Sequence, residues 1–239
     1  MNVKAIIFDI YSTILEVGPA PVDAESRWQQ IFKNAVHKPP LITRAEFSAA
    51  ASRVIAQRHH WARSRGIAWP EIQWPSVVIE LVPELAGVNE ATRNEFIYQQ
   101  IQLGRTLQLT SEAAAVLRWL RRKNLLLGIA SNSQAYTLRE LEELLAEHGL
   151  SLDLFAVDLR FWSFQNGFSK PDPHVFQGLA ARLEARGLRP SEVLMVGDRL
   201  DNDINPARAF GWQTWHLTAQ PESDPGGGWS ELMVHLQTD

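Results

Sequence analysis

A chain of 239 residues, 45% hydrophobic and 21% charged, has near-average globular composition and is long enough for one full-sized core plus a smaller dependent unit. It has no cysteine, which excludes a disulfide framework, a thiolate metal site and a cysteine nucleophile, and its net charge of −4 gives no general attraction to nucleic acid or an anionic membrane. The nine tryptophans are unusual; core packing is the expected use and the wall of an apolar pocket the alternative.

Along the chain, residues 3–8 form a short apolar run that reads as a buried strand ending at Asp9, followed by a turn with Ser12 and Thr13. The N-terminus lacks a basic stretch followed by a long apolar one. No later run approaches the roughly 18 apolar residues of a membrane span, so the expectation is an untargeted cytoplasmic protein. Residues 23–108 are mainly helical in pattern, with helices expected over 24–36, 44–65 and 91–103 and no strong strand signal. Strand-like runs resume at 125–130, 154–159, 193–196 and 213–217, with helices at 111–122, 138–148, 173–186 and 205–210. The basic run Arg118, Arg121, Arg122 and Lys123 reads as a solvated helix face. Residues 220–228 read as a turn or mobile loop, after which Trp229, Leu232, Met233 and Leu236 would pin a last short helix.

Such alternation indicates a three-layer, Rossmann-like parallel sheet, interrupted after its first strand by an inserted helical unit. The core would comprise residues 1–14 and 109–239, and the insertion residues 15–108. A parallel sheet gathers the loops at its strand C-termini. Four such loops are polar here: Asp9 to Thr13, Ser131-Asn132-Ser133, Lys170-Pro171-Asp172-Pro173, and Gly197-Asp198-Arg199-Leu200-Asp201-Asn202-Asp203. Taken singly, each residue reads first as a helix cap, an Asx turn or a surface group; the ordered set at corresponding strand ends is what points to a site. Together, Asp9, Asp198 and Asp203 would repel one another, and a lysine with a hard divalent cation would relieve that repulsion. Asp9, at the end of a rigid strand, is the best-placed covalent nucleophile.

These segments resemble the four ordered motifs of the haloacid dehalogenase-like hydrolases. Phe8-Asp9-Ile10-Tyr11-Ser12-Thr13 is similar to the first, Ile129-Ala130-Ser131-Asn132 to the second, Gly167 to Pro173 to the third and Val196 to Asp203 to the fourth. The resemblance implies Asp9 as nucleophile, Ser131 as ligand of the transferring group's oxygen and Lys170 as its positioning cation. It further implies Mg²⁺ held by Asp9, Asp198 and the backbone carbonyl of Tyr11. Thr13 and Asn132 would join Ser131 in binding substrate, and Asn202 and Asp203 would support the site from behind. The helical insertion is similar to the family's mobile cap, which closes over substrate and excludes water.

Tyr11 departs from the family's phosphatases, which carry a second aspartate two residues after the nucleophile as general acid and base. A phenol is a poor base at neutral pH. Tyrosine there is the arrangement of the metal-free 2-haloacid dehalogenases, yet Gly197-Asp198 stands where those enzymes have serine and asparagine. Three readings follow: an Mg²⁺-dependent phosphomonoester hydrolase of a small phosphorylated metabolite, a metal-free dehalogenase-like enzyme, and a binding or regulatory module with lost turnover. The first is preferred, acting as a monomer or homodimer without nucleic-acid or membrane partners. Arg27, Arg53, Arg58, Arg63, Arg65, His59, His60, Trp28, Trp61, Trp69 and Trp74 of the insertion receive no site role. The histidines show no zinc-ligand spacing.

Overall fold

The computed structural model describes residues 2–220 and 225–237. In chain order its elements are β1 (Ala5–Phe8), β2 (Glu16–Gly18), α1 (Ala24–Val36), α2 (Arg44–Arg63), α3 (Trp74–Leu81), α4 (Glu90–Ile101), β3 (Thr106–Gln108), α5 (Ser111–Arg121) and β4 (Leu126–Ser131). There follow α6 (Ala135–Glu147), β5 (Arg160–Trp162), α7 (Ser163–Asn166), α8 (Pro173–Ala185), β6 (Val193–Gly197), α9 (Asn205–Ala209), β7 (Gln213–Leu217), β8 (Gly226–Gly227) and α10 (Trp229–Gln237). The chain divides into two compact units, Met1–Glu16 with Gln108–Asp239, and Val17–Leu107.

The first unit is built on a six-stranded sheet in the order β5-β4-β1-β6-β7-β8, with every pair parallel. Counted along the core alone, this is the order 3-2-1-4-5-6 of a doubly wound fold, whose direction of winding reverses between β1 and β6. Both strands are fully buried and uniformly apolar, as strands covered on two faces must be. Ala5 and Ile7 face one layer, packing with Val175, Phe176 and Leu179 of α8 and Trp212. Phe8, on the alternate face, stacks on Trp229 of α10 at 5.9 Å between ring centroids. The basic run ends α5, where Arg121, Arg122 and Lys123 are exposed.

Two expectations for this unit change. Residues 154–159 are not a strand: they lie in the 3-10 turns Leu152–Leu154 and Val157–Leu159, and β5 starts only at Arg160. Their buried side chains, Leu152, Phe155 and Leu159, are spaced three and four apart, a helical phase, and the Arg160 guanidinium ties the turns by binding the carbonyls of Leu152 and Phe155. Within the glycine run expected to be loop, Gly226–Gly227 forms a short edge strand on β7, while residues 221–224 lie outside the described residues. The last helix follows, with Trp229 and Leu232 buried.

The second unit contains α1 to α4. Its core is aromatic: Trp28 lies 4.8 Å from Phe32 and 5.2 Å from Phe47, and Phe32 lies 5.0 Å from Phe96. A ring as enclosed as Trp28 holds such a core together, since truncating it to alanine costs about 3–5 kcal/mol. Helix α2 opens on a capping box, Thr43 with Glu46. Helix α3 was not among the expected elements; β-branched residues blur its period, but Pro75 in the first turn suits a helix start. Short strands β2 and β3 pair with each other and not with the main sheet.

Candidate active site

The site forms where β1 and β6 end. Asp9 continues β1, its N–H bonded to the Val196 carbonyl at 2.9 Å. The chain then doubles back, with Leu15 N–H on the Ile10 carbonyl at 2.8 Å and Ser12 at φ 60°, which sets Tyr11 and Thr13 in a tight loop beside Asp9 in sequence. At the end of β4, the loop after Ser131 is pinned by Ser163, whose Oγ accepts from Ser133 N–H at 2.7 Å and donates to the Ser133 carbonyl at 3.1 Å.

Lys170 is buried, and its Nζ donates to Asp9 Oδ1 at 2.6 Å and to Asp203 Oδ1 at 2.5 Å. Asn132 holds the main chain of this lysine from both sides, accepting from Lys170 N–H at 2.7 Å and donating to its carbonyl at 2.9 Å. The second oxygen of Asp203 accepts the Arg199 N–H at 3.1 Å. Gly197 permits this approach: a Cβ there would fall 2.5 Å from the Asp203 side chain. Carboxylate oxygens of Asp9, Asp198 and Asp203 lie within 4.8 Å of one another.

One ammonium among three carboxylates leaves an excess of negative charge in a largely dry place. Burial, with Asp203 and Asp198 nearby, pushes the Asp9 carboxyl up to about 7 in spite of Lys170. Asp198 is also raised, by burial and then by Asp203. Burial opposes the charge on Lys170, but Asp203 and Asp9 more than offset it and hold the ammonium above its usual range. The cluster therefore keeps its lysine charged while favouring the protonated forms of Asp9 and Asp198. The hydroxyls of Thr13 and Ser131 are buried and have no hydrogen-bond partner among the described residues.

Asp9, Lys170, Asp198 and Asp203 thus meet. Asn132 grips Lys170, and Asn202 is buried in the turn between Asp198 and α9. Tyr11 turns to α6: its hydroxyl donates to Glu140 Oε2 at 2.5 Å and lies 2.7 Å from Thr137 Oγ1. Sequence reasoning did not find Thr137, Glu140, Ser163 or His216, whose Nε2–H donates to the Asp198 carbonyl at 2.9 Å. For Glu140 a signal existed. Leu141 and Leu145 define the inner face of α6, and Thr137 and Glu140 fall on it.

The family model for haloacid dehalogenase-like hydrolases matches residues 3–211. The chain belongs to that family. A curated relative, the haloacid dehalogenase-like hydrolase domain-containing protein 3 of Bos taurus, is 30% identical over 154 residues, 63% of this chain; the match spans 57% of that relative's length. Among solved structures, a 2-haloacid dehalogenase from Pseudomonas syringae pv. Tomato superposes with a TM-score of 0.66 at 20% identity, covering 99% of both chains. A hydrolase of the superfamily from Bacillus subtilis, bound to magnesium, gives 0.55 at 20% identity and again 99% of both. At such identities these two share the fold. No helix among the described residues is long and apolar enough to cross a membrane.

Proposed function

We propose that this hydrolase is an Mg²⁺-dependent phosphomonoester hydrolase of a small phosphorylated metabolite, working through an aspartyl-phosphate. The observation that carries the reading is the carboxylate excess around Lys170, together with two buried hydroxyls, in the loop after β1 and at the end of β4, that have no partner among the described residues. The donor set fits the ion: both oxygens of Asp203 are engaged, by Lys170 and by the Arg199 N–H, which leaves Asp9 and Asp198 with the Tyr11 carbonyl as its holders. When bound, Mg²⁺ would offset the negative charge that otherwise keeps a phosphate dianion out.

Asp9 would attack phosphorus, held in line by Lys170, which also keeps its carboxylate from turning away. The hydroxyls of Ser131 and Thr13, which have no partner among the described residues, would donate to the phosphoryl oxygens. Asn132 keeps one amide hydrogen for the same purpose beyond its grip on Lys170. Asn202 and Asp203 would act from behind, Asp203 by fixing the ammonium. In the second unit Trp28 serves the core, and Arg58 is engaged by Glu80 at 2.5 Å, so neither is assigned to substrate.

Tyr11 and the likeness to a 2-haloacid dehalogenase favour a second reading, metal-free displacement of halide. Asp198 beside Asp9 argues against it, because a bare carboxylate there repels a carboxylate substrate. Calorimetry with Mg²⁺, run beside phosphate-release and halide-release assays with and without EDTA, separates the two. Mg²⁺ binding and EDTA-sensitive phosphate release are expected. Halide release that survives EDTA, without Mg²⁺ binding, would overturn the proposal, and neither reaction would mark a binding or regulatory module.

A further inference from the structure

We propose that the site acts on phosphoryl groups whose leaving group departs without taking up a proton, namely acyl phosphates, aryl phosphates and phosphoanhydrides, in preference to alkyl phosphates. The inference rests on the aspartyl-phosphate chemistry of the reading above; it narrows the phosphomonoesters to aryl ones and extends the substrates to acyl phosphates and phosphoanhydrides. Expelling an alkoxide from phosphorus calls for a general acid, a contribution of about 10²–10⁴-fold. Among the described residues of the first unit few groups at the strand ends are candidates, and Asp198 is a holder of Mg²⁺ in that reading. Serine and threonine hydroxyls are too weakly acidic, and Lys170 is clasped between Asp9 and Asp203, where giving up a proton would leave two buried carboxylates without their cation. The Nε2–H of His216 is directed at the Asp198 carbonyl.

Tyr11 remains, and its proton is committed. Thr137 Oγ1 accepts the Gln134 N–H, and the Tyr11 phenol donates to Glu140, so the Thr137 hydroxyl proton falls to the Tyr11 oxygen. The donors and acceptors form one consistent chain, Gln134 to Thr137 to Tyr11 to Glu140, in which Thr137 and Glu140 are both buried. A phenol that gives its proton to a carboxylate offers a leaving oxygen a lone pair, not a proton. Glu140 is thus a positioning residue that assigns the side chain of residue 11 to α6. The same contact explains why aspartate would fit poorly at position 11: it would leave Thr137 unfilled and bring a second carboxylate toward Glu140.

The chemistry balances without an acid. An Asp9 oxygen bonds to phosphorus as the bond from phosphorus to the leaving oxygen breaks, and that oxygen keeps the electron pair as a carboxylate, phenolate or phosphate. Water then bonds to phosphorus, the Asp9–phosphorus bond breaks with its electrons returning to the carboxylate, and both water protons leave on dihydrogen phosphate.

The test is kcat/KM with Mg²⁺ for acetyl phosphate, p-nitrophenyl phosphate, phenyl phosphate and glycerol phosphate, in the wild type, Tyr11→Phe and Glu140→Gln. We expect glycerol phosphate to be slower than p-nitrophenyl phosphate by at least about a hundredfold, the span an acid would have closed. Both variants should lower all four substrates by a common factor, the mark of lost positioning. Glycerol phosphate within about tenfold of p-nitrophenyl phosphate, or a Tyr11→Phe loss about tenfold greater on glycerol phosphate than on p-nitrophenyl phosphate, would overturn the inference and restore Tyr11 as the acid while leaving the phosphatase reading intact. Release from none of the four would remove that reading and the inference together.

Discussion

The same two strands, β1 and β6, carry a cluster of charges at each end, and the clusters behave in opposite ways. Before the strands, Glu192 receives Lys4 Nζ at 2.7 Å and Arg189 Nη2 at 3.1 Å, with Lys4 and Arg189 themselves largely in solvent. Two cations serve one carboxylate. The Arg189 hydrogen bond and then that of Lys4 pull Glu192 down to about 2. Beyond the strands, one lysine stands against three aspartates and bonds two of them, Asp9 and Asp203, and Asp9 is pushed up to about 7. Charges gathered at strand ends are therefore not in themselves a sign of chemistry. A carboxylate well supplied with surface cations is lowered in energy and braces the fold, whereas a buried excess of carboxylates would be relieved by a cation from outside.

The largest effect is expected at Asp9. Asp9→Asn should cut hydrolysis of the best phosphate substrate by roughly a thousandfold or more, because the amide cannot act as the nucleophile, while circular dichroism stays near wild type. Activity retained within tenfold would show the unbalanced cluster to be structural, like its counterpart.

Lys170→Met should destabilise the protein by about 3–5 kcal/mol, since it leaves Asp9 and Asp203 buried without a cation. Urea unfolding checks this, and adding Asp203→Asn should recover part of the loss. Additive losses in the double variant would contradict the proposed coupling. Gly197→Ala should cost about 1–3 kcal/mol, as its Cβ would land 2.5 Å from Asp203 and must displace it from Lys170. An unchanged unfolding midpoint would mean that the turn yields freely.

The two ends should also answer pH with opposite signs. Asp9 is raised in the folded protein from its ordinary 3.8, so its contribution to stability is present at low pH and is lost as pH rises toward and through about 7. In EDTA, thermal unfolding should consequently lose stability from this group between about pH 4 and pH 7, and Asp9→Asn should flatten that slope; excess Mg²⁺ should reverse it. Glu192 is lowered from 4.5, so its contribution is present above that value and is lost as pH falls toward about 2. Glu192→Gln should accordingly flatten the acid limb of the stability curve and leave activity alone, the smallest effect of the series. A parallel pH response in the two variants would remove the distinction between the ends.

Much of this arrangement is local in origin, and so was open to reading from residues alone. The apolar runs that became β1, β4 and β6, the polar segments closing them and the helical period of the stretch between the first two are properties of neighbours along the chain. Those segments, in order, sufficed for the family and for the grouping of Asp9, Lys170, Asp198 and Asp203. The period failed where burial obeyed a different one: Leu152, Phe155 and Leu159 are enclosed at helical spacing, yet the run is apolar enough to pass for a strand.

What tertiary structure alone decided is which polar groups spend their hydrogen bonds on one another. The Asn132 amide spans 38 residues to grip the Lys170 main chain, and the Tyr11 hydroxyl spans 129 to reach Glu140. Neither choice is encoded near either residue. A glutamate on α6 differs from its neighbours Glu142 and Glu143 only by the face that packing turns inward, and a tyrosine after a strand offers its proton to whichever acceptor the folded chain brings within reach. Sequence determined that position 11 holds a phenol; the packing of α6 against the loop after β1 determined where that phenol's proton goes.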